Sequence, residues 1–181
     1  MNKKAAQFVI ETLKTLLFSI FCVLVITHFI ALPCMVDGSS MYPTLTDGDR
    51  GFSSIIGRTL DGIDRFDIVV IKTDEKLLVK RVIGLPGETV QYVDDHLYIN
   101  GEEVTEDFLD SAYVNNEKVR QNRSLFTNNL SITLGEDEYY CLGDNRIVSR
   151  DSRYYGPFSS AQISSRGFLR YFPFLSFGSV H

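Results

Sequence analysis

The pattern of apolar and polar positions divides the chain into two unlike parts. From Leu16 to Pro33 it reads LLFSIFCVLVITHFIALP, eighteen residues without a formally charged side chain. As a helix rising about 1.5 Å per residue, this stretch would be about 27 Å long, close to the hydrocarbon thickness of a bilayer. The helix extends back toward Ala6, with Glu11 and Lys14 spaced i, i+3 at the headgroup level. After residue 36 the continuous apolar run gives way to short segments rich in β-branched and aromatic residues. These are FDIVVIK (66–72), LLVKRVIG (77–84), TVQYV (89–93), HLYING (96–101), EYYCLG (138–143) and GFLRYF (167–172), and Gly, Pro, Asn and Asp punctuate them. VDDHLYING predicts a hairpin, with Asp94-Asp95 and Asn100-Gly101 as turn chemistry.

No part of the body sustains a 3.6-residue period, so helices there are expected to be short. The predicted fold is mainly β: an N-terminal transmembrane helix (residues 1–33), then a β-rich domain (residues 34–181). Residues 102–134, rich in Asn, Glu and Ser, read as a variable insertion or surface excursion between two halves of the core. The stretch FLRYFPFLSFG (168–178) is too short for a second span; its aromatics read first as core and second as an interfacial surface.

Charge sharpens the division. The chain has 18 basic and 23 acidic residues; three Lys and one Glu fall within the first 33 positions, leaving 15 and 22 beyond, a net −7 against −5 overall. An acidic body argues against nucleic acid, which requires clustered Lys and Arg. Lys3 and Lys4 precede the apolar stretch, and Asp37, Asp47 and Asp49 follow it, so the positive-inside rule places the N-terminus in the cytoplasm and everything after Pro33 outside. A cleaved export signal would have a shorter apolar region and an A-x-A-like site, whereas Cys34, Met35 and Val36 follow Pro33 here; an uncleaved anchor is the expectation. Cys22, Cys34 and Cys141 show no metal-ligand spacing and read as small apolar residues. His28, near the outer end of the span, reads as reaching the interface.

Candidate chemistry is concentrated in three places. DGSSMYPTL (37–45) puts two serines, Ser39 and Ser40, directly after the apolar stretch. Histidine is the usual base for a serine, but His28 is in the span, His96 in the hairpin and His181 at the last position, none beside an acid in a motif-like setting. Lysine is the alternative, because burial among apolar side chains disfavours its charged form and lowers its pKa. In LLVKRVIG, strand alternation places Lys80 with Leu78 and Val82 and puts Arg81 on the opposite face. A lysine there either snorkels to solvent or is neutral and functional. The third place, GDNRIVSRDSRYYGPF (143–158), is dense in hydrogen-bonding side chains and alone reads as a polar loop.

Together, Ser-Met-x-Pro after an N-terminal anchor, Lys-Arg-x-x-Gly-x-Pro-Gly, Gly-Asp-Asn-Arg with Ser-x-Asp-Ser-Arg, and Arg-Phe-Asp-Ile-Val-Val at 65–70 resemble the type I signal peptidases, in the single-anchor form of Gram-positive bacteria. The resemblance spans residues 7–175 and implies a membrane-bound serine endopeptidase with a Ser-Lys dyad. It would act on preprotein signal peptides at the outer membrane–water interface. By resemblance Ser40 is the nucleophile and Lys80 its base. Ser149 orients the lysine, Asp151 and Arg153 form a supporting ion pair, and Arg81, Asp144 and Asn145 support the site structurally.

The Ser40 N–H is the natural first oxyanion donor. Some relatives supply a serine hydroxyl two positions earlier, where this chain has Gly38, so the second donor is Ser39, another amide or a water. Small residues at −1 and −3 (A-x-A) would fit subsites lined by Val36, Asp37, Gly38, Ser39, Met41, Leu78 and Val79, and Met41 and Tyr42 are expected to reach lipid. No cofactor is required, and neither Asp47-Gly48-Asp49 nor Glu136-Asp137-Glu138 fits a calcium loop. The alternatives are a self-cleaving Ser-Lys repressor, which would carry a DNA-binding segment in front, a non-enzymatic relative, which would have lost the serine or lysine, and a plain anchored binding module, which leaves the Lys80 pattern and the 143–158 motif unexplained.

Overall fold

The computed structural model describes residues 3–180. His181 and the side chains of Lys3 and His28, invoked above, lie outside the described residues. Helix α1 (Lys3–Val25) continues through a π-helical turn, Ile26–Ile30. Its segment Ala6–Val25, with mean hydropathy 2.1 and none of it buried, is long and apolar enough to cross a membrane. The start toward Ala6 is as expected, but helical structure ends at Ile30, short of Pro33. Residues Ala31–Met35 leave the helix and form strand β1, paired antiparallel with β2 (Arg50–Ser54) in the register Pro33↔Phe52. Pro33 ends helical hydrogen bonding, and an edge strand tolerates its missing N–H.

Two antiparallel sheets make up the body. The larger runs in the order β1, β2, β11 (Ile163–Phe172), β3 (Ile68–Lys72), β4 (Leu77–Gly84), β9 (Glu138–Leu142) and β10 (Phe158–Ser159), with β12 (Gly178–Val180) also on β11. The smaller runs β7 (Glu102–Val104), β6 (His96–Ile99), β5 (Thr89–Val93) and β8 (Leu130–Thr133). The body also contains short helices α2 (Ile55–Asp61), α3 (Ser111–Arg120) and α4 (Ser152–Tyr155), besides two 3-10 turns. The β5–β6 hairpin turns on Asp94 and Asp95 at φ 51° and 71°, the left-handed pair demanded by a two-residue turn matching strand twist.

Strand β4 is central. Leu78 and Val82 join Val69, Ile71, Cys141, Phe158 and Ile163 in one buried cluster, while Ile83 enters the cluster formed with the small sheet by Val90, Tyr92, Leu97 and Leu142. A third cluster, Val36, Met41, Leu45, Ile68 and Phe168, underlies residues 36–45.

Two expectations are corrected. Residues 102–134 are more than a surface excursion: they supply β7 and β8 to the small sheet and bury Phe126 and Thr127. Their polar composition reflects exposed helix α3 and the outer face of β8. In the aromatic stretch at 168–178, only Phe168 is core; Phe172, Phe174, Leu175 and Phe177 are exposed. Here the chain turns through a 3-10 segment, Phe174–Ser176, beyond the sheet.

Candidate active site

The turn carrying the two serines is held from several directions. Val36 N–H donates to Asp49 O at 2.8 Å, and Gly48 N–H to Val36 O at 2.9 Å. Gly38 N–H donates to the Asp47 carboxylate at 2.8 Å, with Gly38 at φ +86°, a conformation a side chain would strain. Met41 and Leu45 plug the turn into the core, both completely buried. This removes the expected contact of Met41 with lipid, while Tyr42 remains 41% exposed.

Lys80 reaches this turn from β4. Its Nζ lies 2.7 Å from Ser40 Oγ and 3.0 Å from the Val79 carbonyl, and the residue is only 3% exposed. Ser39 has no such contact with Lys80 among the described residues. Burial pushes the Lys80 ammonium down to about 8, assisted by the charge of Lys76 and opposed by Asp151 and Asp144. Lys80 therefore does not snorkel to solvent.

Residues 143–153 wrap beneath Ser40. Asn145 N–H donates to the Ser40 carbonyl at 3.0 Å. Gly143 packs so tightly here that a Cβ would collide with both the Ser40 carbonyl oxygen and Ser149 Oγ. Asp144, fully buried, takes a bidentate pair from Arg81 at 2.9 and 2.7 Å and a hydrogen bond from Thr44 Oγ1 at 2.5 Å. The Arg81 guanidinium also stacks 4.0 Å from the Phe108 ring centroid. Asp151, also fully buried, accepts from Gly143 N–H at 3.0 Å and from Arg153 at 2.8 and 2.7 Å, and it caps α4 through Arg153 N–H. Burial alone would raise the Asp151 carboxyl, but the Arg153 guanidinium and the Gly143 N–H hold it below its ordinary range.

Ser149 is the residue expected to orient the lysine; the Lys80 Nζ contacts are Ser40 Oγ and the Val79 carbonyl, and among the described residues Ser149 Oγ completes no full hydrogen bond. Its hydroxyl lies against Gly143, close enough to Asp151 to help lower that carboxylate, because the 143–149 turn directs it inward.

A cleft of about 300 Å³ opens over Ser40 and Lys80. All seven residues expected to line a substrate site (Val36, Asp37, Gly38, Ser39, Met41, Leu78, Val79) do line it. Met35, Lys76, Leu77, Val148 and Arg150 join them. The sequence reading missed these five, although Leu77 opens β4 and Lys76 directly precedes it. One edge of β4 is open here: β9 pairs with Arg81, Val82 and Gly84, leaving Leu77–Val79 without a strand neighbour on that side among the described residues. Among the described residues no cluster of His, Cys, Asp or Glu could hold a metal ion.

A β-rich body, a preceding apolar helix, and a serine touching a buried lysine define the class. Residues 9–172 match the family model described as "Signal peptidase, peptidase S26", and the chain belongs to this family. It is 37% identical over 175 residues to a signal peptidase I of Bacillus amyloliquefaciens, covering 96% of this chain and 92% of that protein. To the signal peptidase I S of Bacillus subtilis (strain 168) it is 36% identical over 176 residues, covering 96% and 94%. A crystal structure of a signal peptidase I from Enterococcus faecalis V583 superposes with a TM-score of 0.50 at 39% identity, covering 57% of this chain and 95% of that one.

Proposed function

We propose that this chain is a membrane-anchored serine endopeptidase that removes signal peptides from preproteins, cutting after small residues with Ser40 as nucleophile and Lys80 as base. The observation that carries the reading is the 2.7 Å contact between Lys80 Nζ and Ser40 Oγ at a 3%-exposed lysine. Once neutral, Lys80 accepts the Ser40 proton while Oγ attacks the scissile carbonyl carbon. The tetrahedral intermediate collapses as the Lys80 ammonium protonates the departing amine, leaving an ester on Ser40. Lys80 then deprotonates a water, which attacks that ester and releases the signal peptide. Among the described residues no acceptor engages the Ser40 N–H, which fits it to the developing oxyanion. Gly38 N–H is committed to Asp47, so the second donor comes from elsewhere.

The cleft also supports an extended substrate. A peptide lying along the open edge of Leu77–Val79, facing Val36–Gly38, would present alternate side chains to one wall. That spacing suits recognition at −1 and −3, with a side chain between them directed away. We read α1 as the anchor, with the N-terminus cytoplasmic and the body outside. Confinement of enzyme and preprotein to one interface raises their effective concentration.

The test is the initial rate on a membrane-anchored preprotein with Ala at −1 and −3, with the product's N-terminus sequenced. Wild type and Ser39→Ala should cut after the −1 Ala, and Ser40→Ala should not. Cleavage by Ser40→Ala, or a dead Ser39→Ala beside a live Ser40→Ala, would overturn the assignment.

A further inference from the structure

The loop beneath Ser40 is tied to the small sheet and to the segment that follows β7 through Arg146. Gly143 and Asn145 touch the Ser40 backbone directly, through close packing and the 3.0 Å Asn145 N–H hydrogen bond. The next residue, Arg146, is almost wholly buried, and its Nε donates back to the Gly143 carbonyl at 3.1 Å. The far end of its guanidinium crosses to the small sheet, donating to Tyr92 Oη at 2.8 Å and Thr127 Oγ1 at 3.1 Å. Its counter-charge is Glu106, in the loop between β7 and α3, at 2.5 Å and with a side chain 8% exposed. Tyr92 Oη also donates to Glu106, at 2.7 Å, so the carboxylate is the acceptor on which both donors converge.

Two further contacts bring residues 102–134 to the same site. Phe108 supports Arg81, which holds Asp144, and the Tyr113 ring meets Tyr42, two positions after Ser40, edge-on at 5.3 Å.

We propose that Glu106 is a positioning residue for Ser40, acting through Arg146 on the Gly143–Asn145 backbone; the proposal rests on the peptidase reading above. A buried guanidinium deprived of its carboxylate is strongly unfavourable and relaxes toward water. Any such movement of Arg146 is transmitted to Gly143 O and from there to the amide that holds the Ser40 carbonyl. Reaction geometry tolerates little displacement, so an error of about 1 Å can cost about a hundredfold in rate. Glu106 does not line the Ser40 cleft. Its removal should therefore act on kcat and leave KM nearly unchanged.

The test compares kcat and KM on the same preprotein for wild type, Glu106→Gln, the double variant Glu106→Leu/Arg146→Met, and, as a core control, Ile99→Ala in the buried cluster with Val90 and Leu97. All are measured well below each variant's Tm, with Ser40→Ala as the zero. The double variant removes both charges, which restores folding where Glu106→Gln alone does not. We expect kcat to fall about tenfold or more in Glu106→Gln and in the double variant, with KM changed less than about twofold. Ile99→Ala should lose Tm and keep kcat within about twofold. A double variant with wild-type kcat, or kcat losses that track Tm across all variants, would overturn the proposal. Wild type that leaves the Ala/Ala preprotein uncut would overturn the peptidase reading and this inference with it.

Discussion

Lys80 carries two opposed requirements in one side chain. To touch Ser40 it must sit at 3% exposure, and there its ammonium falls from an ordinary 10.5 to about 8. Because the folded value is lowered, the unfolded chain binds the extra proton between about 8 and 10.5, and folding becomes more favourable as pH rises through that window. Below it, keeping the charge buried costs about 3 kcal/mol. Lys80→Met should consequently abolish cleavage yet melt higher than wild type at pH 7, with the gap closing toward pH 10.5. A Lys80→Met melt at or below wild type at pH 7 would contradict this. At this scale the sequence was informative where motifs are contiguous: Ser40, Lys80, Asp151 and Arg153 all stand in short patterns. It could not reveal that Ser149 turns toward Gly143, since a hydroxyl's direction depends on the loop around it. Nor could it reveal the Arg146–Glu106 pair, whose members are separated by many residues and meet only when the two sheets close.

Among the elements, β4 and the 143–153 loop do most to build the site. β4 was legible because its apolar run is interrupted by one Lys-Arg pair, and strand alternation sends those two residues to opposite faces. β1, β2, β7, β8, β10 and β12 were not legible. They are short, and β1 is cut from a longer apolar stretch that reads as helix until its pairing with β2 competes. Asp151 shows how much one side chain can hold together: it pairs with Arg153, accepts from Gly143 N–H and caps α4. Asp151→Ala should destabilise the fold by about 3 kcal/mol, because it strands a guanidinium and leaves a buried N–H without its acceptor. Thermal melts of Asp151→Ala and Asp151→Asn check this, with the Asn variant intermediate since it retains an acceptor. An unchanged Ala melt would contradict the role.

For the molecule as a whole, the apolar helix and the body share one side of the problem. α1 runs into β1, and β1 leads directly to Val36 and the cleft, so the site lies a few residues from the end of the helix. Exposed Phe172 at the end of β11, and Phe174, Leu175 and Phe177 just beyond it, add apolar surface. If confinement to a membrane supplies rate, removal of residues 1–25 should leave cleavage of a short soluble peptide within a few-fold of wild type. The same truncation should lower the rate on a vesicle-anchored preprotein by about a hundredfold. Equal losses on both substrates would point to damage in the body and contradict the anchoring role. The division into apolar helix and β-rich body was plain from hydropathy alone, whereas the partnership of the two sheets was hidden by the polar composition of residues 102–134.

The central claim is that neutral Lys80 activates Ser40, and the dependence of kcat/KM on pH tests it most directly. With chemistry limiting, wild-type kcat/KM should rise about tenfold per pH unit well below the free enzyme's lysine pKa and level off above about 8. Lys80→Arg, which cannot lose its proton in this range, should be inactive throughout. A wild-type profile flat from pH 6 to 9.5, or activity in Lys80→Arg, would contradict the assignment of Lys80 as the base.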